Sequence, residues 1–193
     1  MARRIVMAVT GASGAPYAAR LLSLLLAGGC RVHLVVSPMG RRLLADELGL
    51  AEATGAALAG RDGGDQLIEH NYDDIAAPIA SGSFDTDGMV VCPCSMNTLA
   101  AIAAGLGDNL ITRAAAVTLK ERRRLVLVPR ETPLSPIDVE NMAALSRAGA
   151  VLCPAAPGFY HRPRTIDDLV DFVVARVLDL LNVEHDLKTR YEP

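Results

Sequence analysis

Apolar strands alternate with amphipathic helices along most of this chain, and that alternation restricts its fold more than any other feature. The segments 3–9, 31–37 and 88–95 are continuous apolar runs rich in β-branched residues, and a helical pattern follows each of them. Strands that are apolar on both faces occur in parallel sheets covered by helices on both sides. The sequence therefore predicts an α/β protein with a three-layer, Rossmann-like fold, a parallel sheet with helices on both faces.

The element boundaries follow from apolar periodicity and from residues that start or stop helices. Ser135, followed by Pro136 and the first-turn Asp138, marks one helix start, and Thr165 and Asp168 have the spacing of a capping box. Between residues 49 and 80 the pattern weakens, and we expect only a short helix and a flexible connection there. The predicted strands are 3–9, 31–37, 88–95, 124–131 and 150–155, and the predicted helices are 15–27, 38–48, 96–122 with a break around 105–109, 135–149 and 165–181.

Size and composition indicate a globular protein without an obvious macromolecular partner. The 193 residues, 51% of them apolar and 21% charged, can bury a core, and we expect a single domain over 1–193. The net charge of −3 provides no general attraction to nucleic acid or to an anionic membrane. The first apolar run is too short for a signal peptide, and no segment approaches the ~18 uninterrupted apolar residues of a spanning helix. We therefore expect a cytoplasmic protein that binds neither nucleic acid nor membrane.

The four cysteines do not have the spacing of a metal site. One residue separates Cys92 from Cys94, whereas redox and zinc pairs are usually separated by two, and no second pair follows. Cysteine also packs well as a small apolar residue. We expect Cys30, Cys92, Cys94 and Cys153 to be buried, reduced thiols, and we expect no metal.

Polar and charged residues follow the predicted strands at the places where each strand ends. In open parallel sheets, ligands bind beyond the carboxyl ends of the strands. We therefore expect one cleft formed by the segments Thr10–Ser13, Ser37, Cys94–Thr98, Arg130–Glu131 and the loop after Pro154.

Two turns at these strand ends have the composition of phosphate sites. In TGASGAP (10–16), Gly11 and Gly14 permit close backbone approach, and Ser13 adds a hydroxyl at a helix start. The dinucleotide pattern is absent, since Ser37 stands where an acidic ribose ligand is expected. In PCSMNT (93–98), hydroxyl and amide groups precede the next helix. An ordinary tight turn and simple helix caps remain alternatives, but two neighbouring turns of this kind favour a mononucleotide.

Several charged and aromatic residues are further candidates. Arg113 and Lys120 are seven residues apart and share a helix face, whereas Arg122, Arg123 and Arg124 are expected to form a solvated helix end. Arg130 can bind a phosphate and Glu131 can move a proton, unless they form a surface ion pair. Tyr160 lies in a proline-rich loop, and Arg176 lies among apolar residues where an anionic partner is expected. The sequence leaves the role of Glu47 open.

The order of several motifs resembles that of the UbiX-type flavin prenyltransferases. GASGA, ASGSF (80–84), PCSMNT, TRAAAVTLKERRRLVLVPRETP and PAAPGFYHRP occur in the family's order over nearly the whole chain, except residues 49–72 and the last few. The resemblance implies a flavodoxin-like fold and a homododecamer built from trimers, with sites at subunit interfaces. It implies transfer of dimethylallyl from dimethylallyl phosphate to N5 and C6 of reduced FMN, giving prenylated FMN for UbiD-type decarboxylases, without a metal. Whether the donor is a monophosphate or a diphosphate stays open.

The resemblance also assigns roles by position. It implies that Glu131 and Glu47 are carboxylates of the prenyl site, and Glu131 is our choice for proton handling at the departing phosphate. Tyr191 stands where many relatives have an aromatic residue, often Trp. The implied FMN ligands are Gly11, Ala12, Ser13, Ser37, Ser95, Met96, Asn97, Thr98 and Arg130, and the implied ligands of the prenyl phosphate are Tyr160, Arg176, Lys120 and Arg113.

Two other functions remain as alternatives. An FMN-dependent decarboxylase of cysteine-type substrates shares the fold and the P-x-S-x-N-T turn, but it uses a histidine where this chain has Ile79–Ala80, and His70 lies too far upstream. A non-catalytic FMN carrier needs the two turns but not the combination of Lys120, Arg130, Glu131, Tyr160 and Arg176.

Overall fold

A six-stranded parallel sheet in the order β3-β2-β1-β4-β5-β6 forms the centre of the computed structural model, which describes residues 2–187. Every neighbouring pair of strands runs parallel. The predicted fold class is confirmed. The strands are β1 Arg4–Val9, β2 Arg31–Val36, β3 Leu67–His70, β4 Gly88–Cys94, β5 Leu125–Pro129 and β6 Val151–Leu152.

Helices cover both faces of this sheet, and successive residues of β1 show why both faces are apolar. Ile5 and Met7 belong to a core that includes Leu21 and Val177, whereas Val6 belongs to a second core on the opposite face. Side chains alternate between the two faces of a strand, so a strand buried on both sides has to be apolar throughout. The helices are α1 Ala15–Ala27, α2 Pro38–Leu48, α3 Gly55–Ala59, α4 Met96–Ala103, α5 Leu110–Lys120, α6 Pro136–Ala148 and α7 Ile166–Leu180.

The helix starts agree with the capping residues of the sequence. Ser135 and Asp138 form a capping box at the start of α6, and Thr165 and Asp168 form another at the start of α7. Asn109 begins α5 by accepting a hydrogen bond from the Thr112 amide at 3.1 Å, which accounts for the predicted break after α4. These caps satisfy amide groups that have no partner inside the helix.

The structure differs from the expectation at one edge of the sheet. Residues 67–70 form the edge strand β3 beside β2, in a region where only a helix and a loose connection were expected. The strand has four residues, including Glu69 and His70, and is only partly buried. A short edge strand whose residues are only partly buried needs no continuous apolar pattern. At the other edge, β6 is limited to Val151–Leu152, shorter than the predicted 150–155.

The strand order reverses between β1 and β4, and a threonine joins the ends of these two strands. The Thr10 hydroxyl donates to the Pro93 carbonyl at 2.9 Å and accepts from the Ser95 amide at 2.8 Å. Thr10 is buried, so both bonds are protected from water. The predicted binding crevice therefore starts from a fixed pair of strand ends.

The four cysteines are buried or half-buried, close to the expectation. Cys30, Cys92 and Cys94 are buried and Cys153 is half-buried, all four as free thiols. Burial raises the pKa of the Cys92 and Cys94 thiols, which keeps them protonated at neutral pH.

Among residues 2–187, no helix has both the length and the apolar character needed to cross a membrane.

Candidate active site

A cavity of about 390 Å³ lies at the carboxyl ends of β1, β2 and β4. Its lining contains five of the predicted FMN ligands and no acidic residue, as expected for an anion site. Gly11 brings the turn after β1 close to α2, since a Cβ atom there would lie 2.5 Å from Met39 Cβ. The lining residues are Gly11, Ser37, Pro38, Met39, Tyr72, Ser95, Asn97 and Thr98.

Two helix N-termini meet at this cavity. Ser37 caps α2 by accepting from the Gly40 amide at 3.0 Å, and Ser95 caps α4 by accepting from the Thr98 amide at 3.2 Å. The partial positive charge of a helix start favours a bound anion. The arrangement therefore suits the phosphate of a mononucleotide such as FMN, and the cavity has the volume typical of a small-molecule site.

The start of α1 is occupied by a carboxylate from α2. Glu47 Oε2 accepts hydrogen bonds from the amides of Gly14 at 3.0 Å and Ala15 at 2.8 Å. Arg130 approaches the same turn, where its Nε donates to the Ser13 carbonyl at 3.2 Å. The structure thus joins Glu47, Ser13 and Arg130 in one cluster at the end of β1.

The charge state of Glu47 follows from these contacts. Partial burial raises its pKa, but the hydrogen bonds from Ser13, Gly14 and Ala15 and the charge of Arg130 lower it by more. The net effect places the pKa of Glu47 below its usual value. Glu47 is therefore ionised at neutral pH and serves as the anion at the start of α1.

Tyr160 and Arg176 line a second cavity, of about 600 Å³, between β6 and α7. The exposed Tyr160 ring meets the Phe172 ring edge-on, with centroids 5.8 Å apart. The Arg176 guanidinium donates to the Asp179 carboxylate at 3.0 Å and keeps a side-chain exposure of 56%. Because the guanidinium itself is exposed, water weakens the pair, and a phosphate can replace the carboxylate as partner of Arg176. The residues that line this cavity and those that line the Gly11 cavity are different sets.

Arg113 and Lys120 form a third group, on α5. Arg113 Nε donates to the Ala80 carbonyl at 3.2 Å, and Lys120 forms an ion pair with Glu121. A Cβ atom at Gly82 would lie 2.6 Å from Lys120 Nζ. Both cations therefore border the segment 80–84, as their common helix face predicts.

Arg123 is not part of a solvated helix end, so that expectation is wrong for this residue. Its side chain is only 18% exposed, and its two terminal nitrogens donate to the carbonyls of Gly82 and Phe84, each at 2.8 Å. The planar guanidinium suits two acceptors at once. Arg122 and Arg124 are exposed as expected.

Four predicted site residues remain: Glu131, Ala12, Met96 and Tyr191. Glu131 is exposed and accepts from the Thr132 amide at 3.0 Å. Ala12 is buried below the Gly11 turn, and Met96 is half-buried against the core next to Ser95. Tyr191 lies outside the described residues. Within residues 2–187, no group of three or more His, Cys, Asp or Glu side chains is arranged for a metal.

Tyr72 and Met39 also line the first cavity, and neither is among the predicted site residues. Tyr72 follows β3 by two residues, so the overlooked strand also hid the side chain that it delivers. Burial raises the pKa of Tyr72, with the charges of Asp108 and Asp73 adding to the effect, and its phenol stays neutral. Nothing in the sequence marks Met39 as a site residue, because an exposed methionine is common in the first turn of a helix.

Comparisons with known proteins agree with this fold. The family described as Flavoprotein matches residues 1–178. A flavin prenyltransferase UbiX of Thermoplasma acidophilum is 50% identical over 197 aligned positions, which cover 97% of this chain and 99% of the relative.

Two solved structures are similar over nearly their whole length. The complex of AnUbiX (PadA1) with FMN and dimethylallyl pyrophosphate has a TM-score of 0.91 at 46% identity and covers 100% of this chain and 99% of that one. A dodecameric FMN-dependent Ubix-like decarboxylase from Escherichia coli O157:H7 has a TM-score of 0.91 at 48% identity and covers 98% of this chain and 100% of that one.

Proposed function

The chain belongs to the UbiX flavin prenyltransferases of the flavoprotein family, and on that premise we propose that it transfers a dimethylallyl group from dimethylallyl phosphate to N5 and C6 of reduced FMN. The product is prenylated FMN, and its recipients are UbiD-type decarboxylases. The observation that carries the proposal is the cavity at the β1–β4 strand ends, with its two helix N-termini and no acidic lining residue, in a chain so similar to a protein that binds FMN and dimethylallyl pyrophosphate.

FMN is held at this cavity by hydroxyl and amide groups. Ser37 and the segment Ser95–Thr98 bind the mononucleotide from the starts of α2 and α4, and the Gly11–Ser13 turn approaches it from β1. Arg130 provides a cation beside Ser13. Reduced FMN supplies the electron-rich ring that accepts the allyl group, and the protein supplies position and electrostatics.

The donor phosphate is bound by cations and a phenol. As the allylic C–O bond breaks, the phosphate leaves with the electron pair and the allyl carbon develops positive charge. Lys120, Arg113, Arg176 and Tyr160 are suited to stabilise the leaving oxygens, because preorganised donors act where charge develops. Monophosphate is a poor leaving group, so protonation assists its departure. We assign that proton transfer to Glu131, which follows β5 directly after Arg130.

Glu47 acts on the same site by organising it. It neutralises the start of α1 and contributes to the pairing of Ser13 with Arg130. With Glu131, Lys120, Tyr160 and Arg176 it completes the proposed catalytic group.

A complete site is proposed to need neighbouring copies of the chain in a homododecamer. Tyr160 and Arg176 line a different cavity from the FMN ligands, which supports delivery of these two side chains by another subunit. Met39, which lines the first cavity, is 58% exposed, and Phe159, next to Tyr160, is 72% exposed. Apolar side chains exposed at both parts fit surfaces that bind another protein. The related Escherichia coli protein is dodecameric.

Two alternative functions have less support. The decarboxylase alternative needs a histidine near position 79, but Ile79 and Ala80 are buried apolar residues, and His70 pairs with His33 at 2.8 Å. A passive FMN carrier has no use for Lys120 and Arg113 beside a small-residue segment. We further propose one domain over the whole chain and a cytoplasmic location, where four free thiols are stable.

The mass of the flavin tests the proposal. The protein is incubated anaerobically with reduced FMN and dimethylallyl phosphate, and in parallel with the diphosphate, and the flavin is weighed. A gain of one five-carbon unit is expected, whereas an unchanged flavin with both donors contradicts the proposal. Glu131→Gln is expected to bind FMN normally and to turn over about a hundredfold more slowly. Equal turnover by this variant and the wild type would remove Glu131 from the reaction.

A further inference from the structure

The residues Ser81–Phe84 form a tight turn, here called the 81–84 turn, beside the cations of α5. The Phe84 amide donates to the Ser81 carbonyl at 3.2 Å, and the hydroxyls of Ser81 and Ser83 are 2.9 Å apart. Gly82 faces the Lys120–Glu121 ion pair so closely that a Cβ atom would displace both side chains. The path of this turn therefore determines the space that the Lys120 ammonium can occupy.

Arg123 fixes that path from the end of α5. Its backbone amide donates to the Thr118 carbonyl at 2.9 Å, which anchors the residue to the helix. Its guanidinium donates to the Gly82 and Phe84 carbonyls, one on each side of Ser83. A single rigid group thus ties two points of the turn to α5, and a charged donor makes these bonds stronger than neutral ones.

In the part of the chain that the structure describes, carboxylates hold the Arg123 guanidinium only weakly. The nearest ion-pair partner, Asp85, is 3.8 Å away and 92% exposed, so water screens that pair. The two carbonyls are the main partners of the guanidinium. Arg123 therefore serves the turn, and its function is not explained by a surface ion pair.

Arg4 anchors the far side of the same turn. Its NH1 group donates to the Asp85 carbonyl at 2.6 Å, and its guanidinium lies 4.7 Å from the centre of the Phe84 ring. The Phe84 ring also meets His33 edge-on, with centroids 5.2 Å apart. The turn is thus held at its end by β1 and β2, and Arg123 ties two of its carbonyls to the end of α5, next to the bond from Arg113 to the Ala80 carbonyl.

We propose that Arg123 is a positioning residue for the prenyl donor, which holds the 81–84 turn against α5 and so directs the Lys120 ammonium and the Arg113 guanidinium toward the donor phosphate. This inference rests on the proposed function, which gives the donor phosphate to Lys120 and Arg113. Arg123 itself contacts neither FMN nor donor. Its effect belongs to donor binding, because the FMN ligands lie on other strand ends.

Steady-state kinetics of Arg123→Ala test the inference, with Arg124→Ala as the matched control. Arg124 is an exposed neighbour, so its removal changes the net charge equally without touching the turn. For Arg123→Ala we expect the KM for dimethylallyl phosphate to rise by about ten- to a hundredfold, as for a displaced binding group, with FMN affinity unchanged. Arg123→Lys is expected to recover part of the loss, since an ammonium keeps the charge and can reach one carbonyl. Arg124→Ala is expected to match the wild type.

Gly82→Ala supplies a second readout that leaves Arg123 in place and is available if Arg123→Ala does not fold. The added methyl group meets the Lys120 ammonium, and the same selective rise in donor KM is expected. An active wild type with an unchanged donor KM in both variants would overturn the inference and leave the proposed function intact. A loss of FMN affinity equal to the loss for the donor would reduce Arg123 to a structural role. A wild type that does not prenylate FMN would overturn both proposals.

Discussion

At the scale of single residues, Glu47 shows how a site can be organised by a side chain whose role the residue pattern alone leaves open. It comes from the last turn of α2 and provides the anion at the start of α1, where Gly14 offers no capping side chain. The two hydrogen bonds that it accepts from the Gly14 and Ala15 amides replace the cap that a Ser, Thr or Asp directly before the helix usually provides. The turn after β1 therefore keeps its shape before any ligand binds.

Replacing Glu47 with Gln should destabilise the protein by about 1 kcal/mol at neutral pH, the usual value of a helix cap or a charge at a helix start. The folded pKa of Glu47 is lowered, so its stabilising contribution is complete above pH 4.5, its ordinary value, and is lost as the pH falls through the lower folded pKa. Urea unfolding of both proteins at pH 7 and at pH 3.5 to 4 measures this difference, with Arg42→Ala on the same helix as an exposed control. A difference in unfolding free energy that does not shrink in acid would contradict the role of the carboxylate.

Residue roles were predictable only where the local sequence contains the partner. Ser135 and Thr165 could be identified as caps because the residue that completes each box lies three positions later. Arg123 could not, because its acceptors, Gly82 and Phe84, are about forty residues away and are backbone atoms. A carbonyl leaves no trace in residue type, so three consecutive arginines suggested solvent exposure.

At the scale of elements, a histidine pair joins the edge strand β3 to β2. His33 on β2 and His70 on β3 are joined by a 2.8 Å hydrogen bond, and their rings stack with centroids 5.1 Å apart. Burial, together with the charges of His70, Arg4 and Arg31, lowers the pKa of His33 to about 4. The pair is therefore neutral at pH 7, as one ring must accept the hydrogen bond that the other donates.

Acid should weaken the protein through this pair. The ordinary pKa of 6.5 applies to the unfolded chain and about 4 to the folded one, so as the pH falls between these values the unfolded state binds the proton first and stability is lost. We expect His33→Gln to remove about 1 kcal/mol or more of that loss, because its amide keeps a hydrogen bond without titrating. Denaturant unfolding at pH 7.5 and at pH 4.5 compares the two proteins. An equal acid sensitivity of wild type and variant would assign the effect to other groups.

The long strands could be predicted and the edge strand β3 could not. Strands β1, β2, β4 and β5 are buried on both sides, so their apolar runs are continuous and visible. β3 has only four residues and a solvent-facing side, and its hydrogen bonds to β2 come from the backbone. Tertiary pairing, which the local pattern does not record, decides such a strand.

At the scale of the whole molecule, one chain presents the parts of the site in separate places. The residues suited to FMN lie where β1 and β4 end, the Arg113–Lys120 pair lies on α5, and Tyr160 with Arg176 lies between β6 and α7. The topology of a parallel sheet predicts the first of these places, because strand ends converge. It does not predict the relation between the first and the last, which we propose to depend on contacts between copies.

The central claim is that prenyl transfer occurs where FMN ligands of one subunit meet Tyr160 and Arg176 of another, and hybrid oligomers test it most directly. Glu131→Gln and Arg176→Ala subunits, each expected to be strongly impaired alone, are unfolded, mixed in equal amounts and refolded together, and the prenylated flavin is quantified by mass. If two subunits share each site, about a quarter of the sites in a random mixture receive both intact residues, and activity should return to roughly that fraction. A mixture that forms hybrid oligomers and stays as inactive as its components would show that each site belongs to a single chain, and the account would be wrong.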